Sequence, residues 1–202
     1  MKRVNVLTML AMLAVTGLVF GGCQPVRPQA ELNAPRQVNG EIYLPGVPQW
    51  GGVTVSMRFA VTELNPKTHE ATGYMSWRNF QPQPPKGEAY WKLVDSDVRY
   101  VFFGADAPNG EPNTVVVITQ IKTKSGWGGG KPGEYGYFWF RDGGKTGPDQ
   151  WGMRYYKLDP WTEFYPADKP PVAAGYFTVK QMQADNPVLP LNVEAGDVTI
   201  VQ

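Results

Sequence analysis

The sequence is poor in the side chains that most enzymes use for chemistry. It has one cysteine and one histidine among 202 residues. A single cysteine cannot form an internal disulfide, and it excludes a cysteine-rich zinc site. Charged residues make up 18% of the chain, against a typical ~25%. The 19 basic and 18 acidic residues give a formal net charge of +1, so no broad basic field favours nucleic-acid binding.

The chain also lacks an apolar run of the ~20 residues that a membrane-spanning helix needs. Its main apolar run, VLTMLAMLAVTGLVF, covers residues 6–20 and follows Lys2 and Arg3. Two glycines come next. A basic start, an apolar stretch and small residues in this order are typical of a secretory signal peptide and its cleavage site. We therefore predict that residues 1–22 are a signal peptide.

The cysteine, Cys23, follows at once in the motif FGGC. This motif resembles the bacterial lipobox, in which a hydrophobic residue and two small ones precede a cysteine, although Phe20 stands where leucine is usual. The resemblance implies that the thiol receives a diacylglycerol, that residues 1–22 are removed, and that the new N-terminus is acylated, for example by palmitate. Two or more fatty chains anchor a protein durably because each buried CH₂ contributes about 0.8 kcal/mol. The alternatives are an uncleaved membrane anchor and an ordinary signal peptide with an incidental cysteine.

Without its leader the chain is almost neutral and begins with a proline-rich stretch. The loss of Lys2 and Arg3 reduces the 19 basic residues to 17, against 18 acidic ones. Neither a basic membrane patch nor DNA binding is therefore indicated. Residues 23–40 are polar and contain three prolines, which predicts an extended tether after the lipidated cysteine. An edge strand near Gln37–Gly40 is the alternative.

From residue 41 onward the sequence favours strands. VTVSMRFAVT alternates apolar and polar side chains, as a strand with one wet face does, and it predicts a hairpin with ATGYMSWRNF. VRYVFFGA and NTVVVITQIKTK are rich in β-branched and aromatic residues, which is typical of central strands. A turn at Asn109-Gly110 separates these two. The later strands are predicted in YGYFWFRD, DQWGMRYYKL, GYFTVKQM and GDVTIVQ.

The whole pattern predicts an all-β fold. The 23 glycines and 19 prolines punctuate short segments, and no stretch of a dozen residues has a helical period. About eight to ten short strands indicate an antiparallel β-sandwich or open barrel. We expect residues 41–202 to form this as a single β domain.

The segment KPGEYGYFWFRDGGKTGPDQWGMRYY adds a second resemblance. Its Gly/Pro loop, aromatic strand, turn residues and following strand are similar to the C-terminal hairpin of post-COAP-type β domains of exported bacterial proteins. The resemblance is strongest over residues 113–158 and consists mostly of turn residues. It implies an extracellular β module, and it implies no particular enzymatic activity.

No constellation of residues predicts catalysis. Nucleophilic catalysis needs a base beside an activated side chain. The only imidazole, that of His69, lies in a predicted turn, where we expect the side chain to be exposed to solvent. The pairs Asp95/Asp97 and Asp159/Glu163 can each share a face, as the carboxylates of glycosidases do. A chain with 18 acidic residues forms such pairs by chance. We therefore predict that the protein is not an enzyme.

Oxygen ligands of the kind that Ca²⁺ prefers occur in two turns. DAPNGE contains Asp106 and Asn109, and DGGKTGPD contains Asp142 and Asp149. Neither turn has the spacing of a helix-loop-helix calcium site, and Asp and Asn also favour turns because they bond to nearby backbone. We expect turn residues and no cofactor, with a structural Ca²⁺ as the alternative.

Aromatic residues, 13% of the chain, are the most informative feature for function. In YGYFWFRD, strand alternation places Tyr135, Tyr137 and Trp139 on one face and the two phenylalanines on the other. We expect the phenylalanines in the core, which makes the Tyr/Trp row, with Trp151 and Tyr155 beyond it, a candidate ligand surface. Such rows stack on sugar rings or pack against proteins. The alternative is that they fill a two-layer core.

The sequence therefore favours a lipid-anchored, non-enzymatic β domain in the bacterial cell envelope, facing the periplasm or the exterior. We expect an interaction or envelope-structure module that is attached to the membrane through its N-terminal lipid. Its expected partners are an envelope protein or a glycan, and not nucleic acid. Carbohydrate binding by the aromatic row is the alternative function, and hydrolysis by paired carboxylates is a weaker one.

Overall fold

The computed structural model of the protein describes residues 35–128, 130–154, 164–165 and 175–202. These residues belong to one compact unit that begins at Pro35. Several sequence predictions lie outside the described residues: the signal peptide, Cys23, most of the tether, Tyr155, Asp159 and Glu163.

Within the described residues, ten strands form one antiparallel sheet. They are β1 (Gln37–Val47), β2 (Val53–Asn65), β3 (Glu70–Phe80), β4 (Trp91–Phe103), β5 (Thr114–Gly126), β6 (Tyr135–Arg141), β7 (Gln150–Met153), β8 (Phe164–Tyr165), β9 (Leu191–Asn192) and β10 (Ala195–Val201). Their order is β10-β1-β2-β3-β4-β5-β6-β7-β9, and β8 pairs with β6. The sheet curls into a half-barrel, which confirms the predicted antiparallel all-β class.

The strands form where the sequence alternates most clearly. The predicted hairpin is confirmed as β2 and β3, with Met57 opposite Trp77. The segments predicted as central strands are β4 and β5, and they lie in the middle of the sheet. The turn predicted between them is also present, because Asn109 has a φ of 63° and Gly110 N donates to Ala107 O at 2.9 Å.

The first and last strands of the domain are neighbours in the sheet. β1 pairs with β10 from Gln37 opposite Val201 to Tyr43 opposite Ala195. The predicted closing strand GDVTIVQ is thus confirmed as β10. The tether prediction is therefore wrong for Gln37–Gly40, which belong to β1. The alternative of a strand there is correct, but β1 lies between β2 and β10 and not at an edge.

The prediction of a strand at GYFTVKQM is wrong. This segment leads into helix α1, Val179–Asp185. Thr178 caps the helix: its side chain accepts a hydrogen bond from Gln181 N, and the Gln181 side chain accepts one from Thr178 N. This reciprocal capping box satisfies two donors that a helix start otherwise leaves unpaired, and it outweighs the β propensity of the preceding residues. No helix in the described ranges has the length and apolar character needed to cross a bilayer.

The main core lies on the concave face of the sheet. Phe59 of β2 stacks on Phe140 of β6 with 4.3 Å between ring centroids. Trp77 of β3 meets Phe138 edge-on at 5.5 Å. Strands β2 and β6 are separated by three others in the sheet. Contact between their side chains therefore requires the sheet to curl around its own apolar face.

A second apolar layer covers the convex face of the strands around β6. Gly152 of β7 lies opposite Trp139 in the register, so both residues are on the same face. A Cβ on Gly152 would lie 2.2 Å from Met182 Sδ of α1. Met182, Phe177 and Leu189 are 0%, 0% and 1% exposed. The segment around α1 thus packs on this face, and the absence of a side chain at Gly152 makes room for it.

Candidate functional site

The aromatic row that the sequence offered for ligand binding is buried. Tyr137 and Trp139 are each 1% exposed, because the segment around α1 covers their face of the sheet. Trp151 is 0% exposed and lies opposite Phe140 on the concave face. Tyr135 is half-buried. These side chains therefore form no exposed row, and the alternative of a two-layer core describes them correctly.

The two aspartates of the β6–β7 turn bind backbone amides. Asp149 Oδ1 accepts from Gly143 N at 2.9 Å, and Oδ2 accepts from Val198 N of β10 at 2.6 Å. Asp142 Oδ1 accepts from Gly144 N at 2.8 Å, and Oδ2 accepts from Ile200 N of β10 at 3.3 Å. These oxygens, considered above as Ca²⁺ ligands, therefore hold the turn and fasten it to β10.

The other two calcium candidates also have structural partners. The carboxylate of Asp106 is paired with the Arg36 guanidinium, and Asn109 occupies the left-handed turn position. Among the described residues, no group of three or more His, Cys, Asp or Glu side chains is placed to hold a metal ion.

Asp106 belongs to a network with Arg36 and Glu63. The Arg36 Nε and Nη2 atoms donate to the two carboxylate oxygens of Glu63 at 2.6 and 2.7 Å, while Nη1 donates to Asp106. The guanidinium also lies 4.3 Å from the centroid of the Phe103 ring. Burial opposes the charged form of Arg36, but the hydrogen bonds and negative charges of Glu63 and Asp106 outweigh it and raise its pKa above the ordinary value.

His69 is more enclosed than the predicted solvated histidine. It does lie in a turn, with a φ of 59°, but its ring stacks on Phe102 at 4.3 Å and the side chain is half-buried. Together with Asp106, Tyr176 and Lys180 it lines an open cleft of about 720 Å³. Its Nδ1 atom is buried without a hydrogen-bond partner in the part of the chain that the structure describes.

The acidic pair on β4 is engaged in cross-strand contacts. Asp95 Oδ2 accepts from Thr123 Oγ1 at 3.2 Å. Asp97 Oδ1 lies 3.7 Å from Lys122 Nζ. Both aspartates lie on the convex face of the sheet, on alternate positions to buried Val94, Ser96 and Val98. Both carboxylates are therefore engaged in surface contacts with side chains of the neighbouring strand β5.

A different set of aromatic residues lies at the surface. We call Tyr43, Phe80, Tyr90 and Trp91 the aromatic surface. Tyr43, Tyr90 and Trp91 are exposed by 44%, 54% and 55%. The Phe80 ring lies between the latter two, with its centroid 4.8 Å from that of Trp91 and 6.2 Å from that of Tyr90. Exposed rings in one contiguous group mark binding sites more often than single exposed residues do.

A groove of about 400 Å³ runs beside these rings. It is lined by Tyr43, Phe80 and Trp91 and by three polar side chains, Thr54, Ser56 and Arg78. The register explains the grouping, because Tyr43, Ser56 and Arg78 are successive cross-strand neighbours on β1, β2 and β3. In the same way Thr54, Phe80 and Trp91 are neighbours on β2, β3 and β4.

Sequence reasoning missed this surface because its rings come from different strands. Alternation along one strand finds rows such as Tyr135, Tyr137 and Trp139, whereas this group forms across the sheet. The available signal was the hairpin alternation that places Arg78 on the face opposite Met75 and Trp77. Extending that face to neighbouring strands requires the register, which the sequence did not supply.

The convex face offers aromatic rings, the hydroxyls of Thr54 and Ser56 and the Arg78 guanidinium within a few residues of the same end of four adjacent strands. No family model matches this chain, and the comparisons with curated proteins and with solved structures also find no match.

Proposed function

We propose that the protein is an exported bacterial lipoprotein whose β domain is a non-enzymatic binding module for a polysaccharide of the cell envelope. The observation that carries this proposal is the aromatic surface. Its Tyr43, Tyr90 and Trp91 side chains are exposed by 44–55% beside a polar groove. Large aromatic side chains are rarely left in water as a group without a partner.

The groove matches the chemistry of a sugar ring. A pyranose has an apolar face that stacks on an aromatic ring and a polar edge of hydroxyls. Phe80 and Trp91 supply the rings, while Thr54, Ser56 and Arg78 supply hydrogen-bonding groups in the same groove. The guanidinium is a donor of up to five hydrogen bonds and also attracts acidic sugars. Because these side chains project from paired strands, the site needs little ordering when a ligand binds.

The N-terminal sequence supports the location. The FGGC motif and the preceding apolar run favour export and lipidation at Cys23, and the polar segment that follows supplies distance from the bilayer. The likeness of residues 113–158 to β domains of exported proteins favours the same compartment. A polysaccharide-binding domain on such an anchor would join the membrane to the surrounding envelope matrix.

Glycan binding is tested with the mature protein, purified from membranes in detergent and incubated with insoluble envelope polysaccharide. We expect Trp91→Ala to reduce retention at least 10-fold, because it removes a ring of the groove. Tyr74→Ala is the matched control. Tyr74 is 53% exposed on the same convex face but outside the groove, and its loss should leave retention unchanged. Equal retention of wild type and Trp91→Ala, or no retention of either, contradicts the proposal.

The anchor is tested separately by metabolic labelling with radioactive palmitate. Wild-type protein should incorporate label and sediment with membranes, because Cys23 carries the fatty chains. Cys23→Ser should lose both the label and membrane sedimentation. Label that persists in Cys23→Ser would show that the lipid is attached elsewhere or that the motif is not a lipobox.

A further inference from the structure

The groove beside the aromatic surface contains a cation. Among the described residues that line the groove, Arg78 of β3 is the one charged side chain. Arg78 is exposed, and its guanidinium forms neither a hydrogen bond nor an ion pair with any described residue. Its N–H donors, five in a fixed planar arrangement, are therefore available to a ligand.

Two carboxylates of β1 and β4 share the convex face with Arg78, and both are engaged elsewhere. The Glu41 Oε1 atom accepts from the Arg58 Nε and Nη2 atoms at 2.9 and 2.7 Å. Asp95 Oδ2 accepts from Thr123 Oγ1 of β5, the neighbour of β4 on the side away from β3. The charge of Arg78 therefore has no carboxylate within ion-pair distance among the described residues, and the groove favours an anionic ligand.

The hydroxyl groups beside the guanidinium also offer donors. Ser56 of β2 lies directly opposite Arg78 in the register. The Thr54 Oγ1 atom already accepts from Gly46 N at 3.1 Å, so its O–H group remains available to donate. An ionised carboxylate only accepts hydrogen bonds, and a guanidinium can hold both of its oxygens. A carboxylate is therefore the anion that fits this group of donors.

The aromatic rings lie within reach of the same donors. Phe80 is two residues from Arg78 on the same face of β3, which corresponds to about 7 Å along a strand. Trp91 of β4 lies opposite Phe80 in the register. This separation suits a sugar whose carboxylate is attached to the ring itself, because the ring can stack while its edge reaches the guanidinium.

We infer that the groove selects polysaccharides that contain uronic acids, an inference that rests on the polysaccharide binding proposed above. In a uronic acid the carboxylate is bonded directly to a carbon of the pyranose ring. The ring stacks on Trp91 and Phe80, and its carboxylate accepts from Arg78 and Ser56. The corresponding neutral sugar carries a hydroxymethyl group at this position, so it keeps the ring contact and lacks the ion pair.

The test uses two oligosaccharides that differ in this one group: oligogalacturonate, and the same oligomer after reduction of its carboxylates to hydroxymethyl groups. Titration calorimetry with the mature protein in a neutral detergent measures both affinities at low salt. We expect the acidic oligomer to bind about 5-fold more tightly or better, because a charge-assisted pair adds to the shared ring contact. The difference should shrink at high salt, since the guanidinium is exposed.

The variants assign the selection to one residue. Arg78→Gln should bind both oligomers with the weaker affinity of the neutral one, because it removes the charge and leaves the rings. Arg78→Lys should keep part of the preference, because it retains the charge without the planar fork. Arg99→Gln is the control: it removes the same charge from an exposed position on β4 outside the groove, where Nε donates to Gln120 Oε1 at 3.2 Å, and it should keep the full preference.

The outcomes separate this inference from the proposed function. Equal affinity of the wild type for the two oligomers, or a preference that survives in Arg78→Gln, overturns the inference. The proposed function still holds in that case if Trp91→Ala weakens the binding of both oligomers. Absence of saturable binding of the acidic oligomer also overturns the inference, and retention on envelope polysaccharide then decides the proposed function by itself.

Discussion

At the residue scale, the contacts of Arg36 show how a buried carboxylate, that of Glu63, is paired with a cation. Glu63 is 6% exposed, and both of its carboxylate oxygens accept from Arg36 at 2.6 and 2.7 Å. Two parallel N–H···O bonds are the geometry in which a guanidinium and a carboxylate interact most strongly. The pKa of Arg36 is raised in the folded protein. Its contribution to stability is therefore present at neutral pH and is lost in strongly alkaline solution, as pH rises through the folded pKa.

We predict that Arg36→Met lowers the free energy of unfolding by about 3 kcal/mol, because it leaves the Glu63 carboxylate buried without its partner. Urea denaturation of the mature protein measures this loss. Replacing Glu63 by Gln in the same background should restore part of it. The control is Arg58→Met: the Arg58 and Glu41 side chains are 67% and 55% exposed, so their pair should contribute less than about 1 kcal/mol. Equal losses for Arg36 and Arg58 would contradict the assignment.

At this scale the sequence predicted correctly which side chains share a face of a strand. It did not predict their exposure where a distant segment covers that face. Alternation correctly separated the phenylalanines of β6 from Tyr137 and Trp139. It did not show that a segment some forty residues later covers the second face, which turns a possible surface into core. The local signal for that segment was the T-x-x-Q capping pattern at Thr178, together with a glycine at position 152 that leaves space above the sheet.

At the scale of elements, the contact between α1 and β7 is limited by space. We predict that Gly152→Ala destabilises the protein by about 2 kcal/mol, because a methyl group there meets buried Met182 Sδ and forces the helix to shift. Thermal and urea unfolding measure the loss. Gly147→Ala is the control, since no atom lies within 4 Å of a Cβ at that position. If both substitutions lower the free energy of unfolding equally, α1 does not pack on β7 as described.

Strand pairing also decides which aromatic rings can act together. Strands such as β2 and β3 were predictable because their alternation is local, whereas Tyr43, Phe80 and Trp91 lie on β1, β3 and β4 and meet only through the register. A shift of one residue in one strand would turn its ring toward the core. The candidate site was therefore beyond the reach of reasoning that considers one segment at a time.

At the scale of the whole molecule, side-chain hydrogen bonds join the β6–β7 turn to β10, which is not a neighbour of β6 or β7 in the sheet. Asp142 and Asp149 of the β6–β7 turn accept from Ile200 N and Val198 N of β10. The backbone oxygen of Asp149 also accepts from Val193 N at 2.9 Å. Edge strands with free amides invite pairing with other chains. The two carboxylates cover that edge and hold the half-barrel in its curved form.

We predict that Asp149→Ala costs about 2–3 kcal/mol of unfolding free energy, because two backbone amides lose a charged acceptor. It should also accelerate hydrogen exchange at the Val198 amide. Asp149→Asn keeps one acceptor oxygen and should lose roughly half as much. Asp197→Ala on the same β10 strand is the control, since that carboxylate accepts from exposed Thr199 Oγ1 at 2.7 Å. Protection of Val198 that survives Asp149→Ala would show that the carboxylate does not close the sheet.

The position of β1 between β2 and β10 has a mechanical consequence. If the chain is held at its N-terminal end and a force acts on the rest of the domain, tension reaches β1 first. Because β2 and β10 pair with β1 on its two sides, a force parallel to the strand axis loads both sets of backbone hydrogen bonds in shear. It cannot separate the strand by breaking the hydrogen bonds of one pair one after another. Shear of this kind resists far larger forces than peeling does, so on a lipid anchor of the kind proposed above, β1 would resist tension better than a strand paired on one side only.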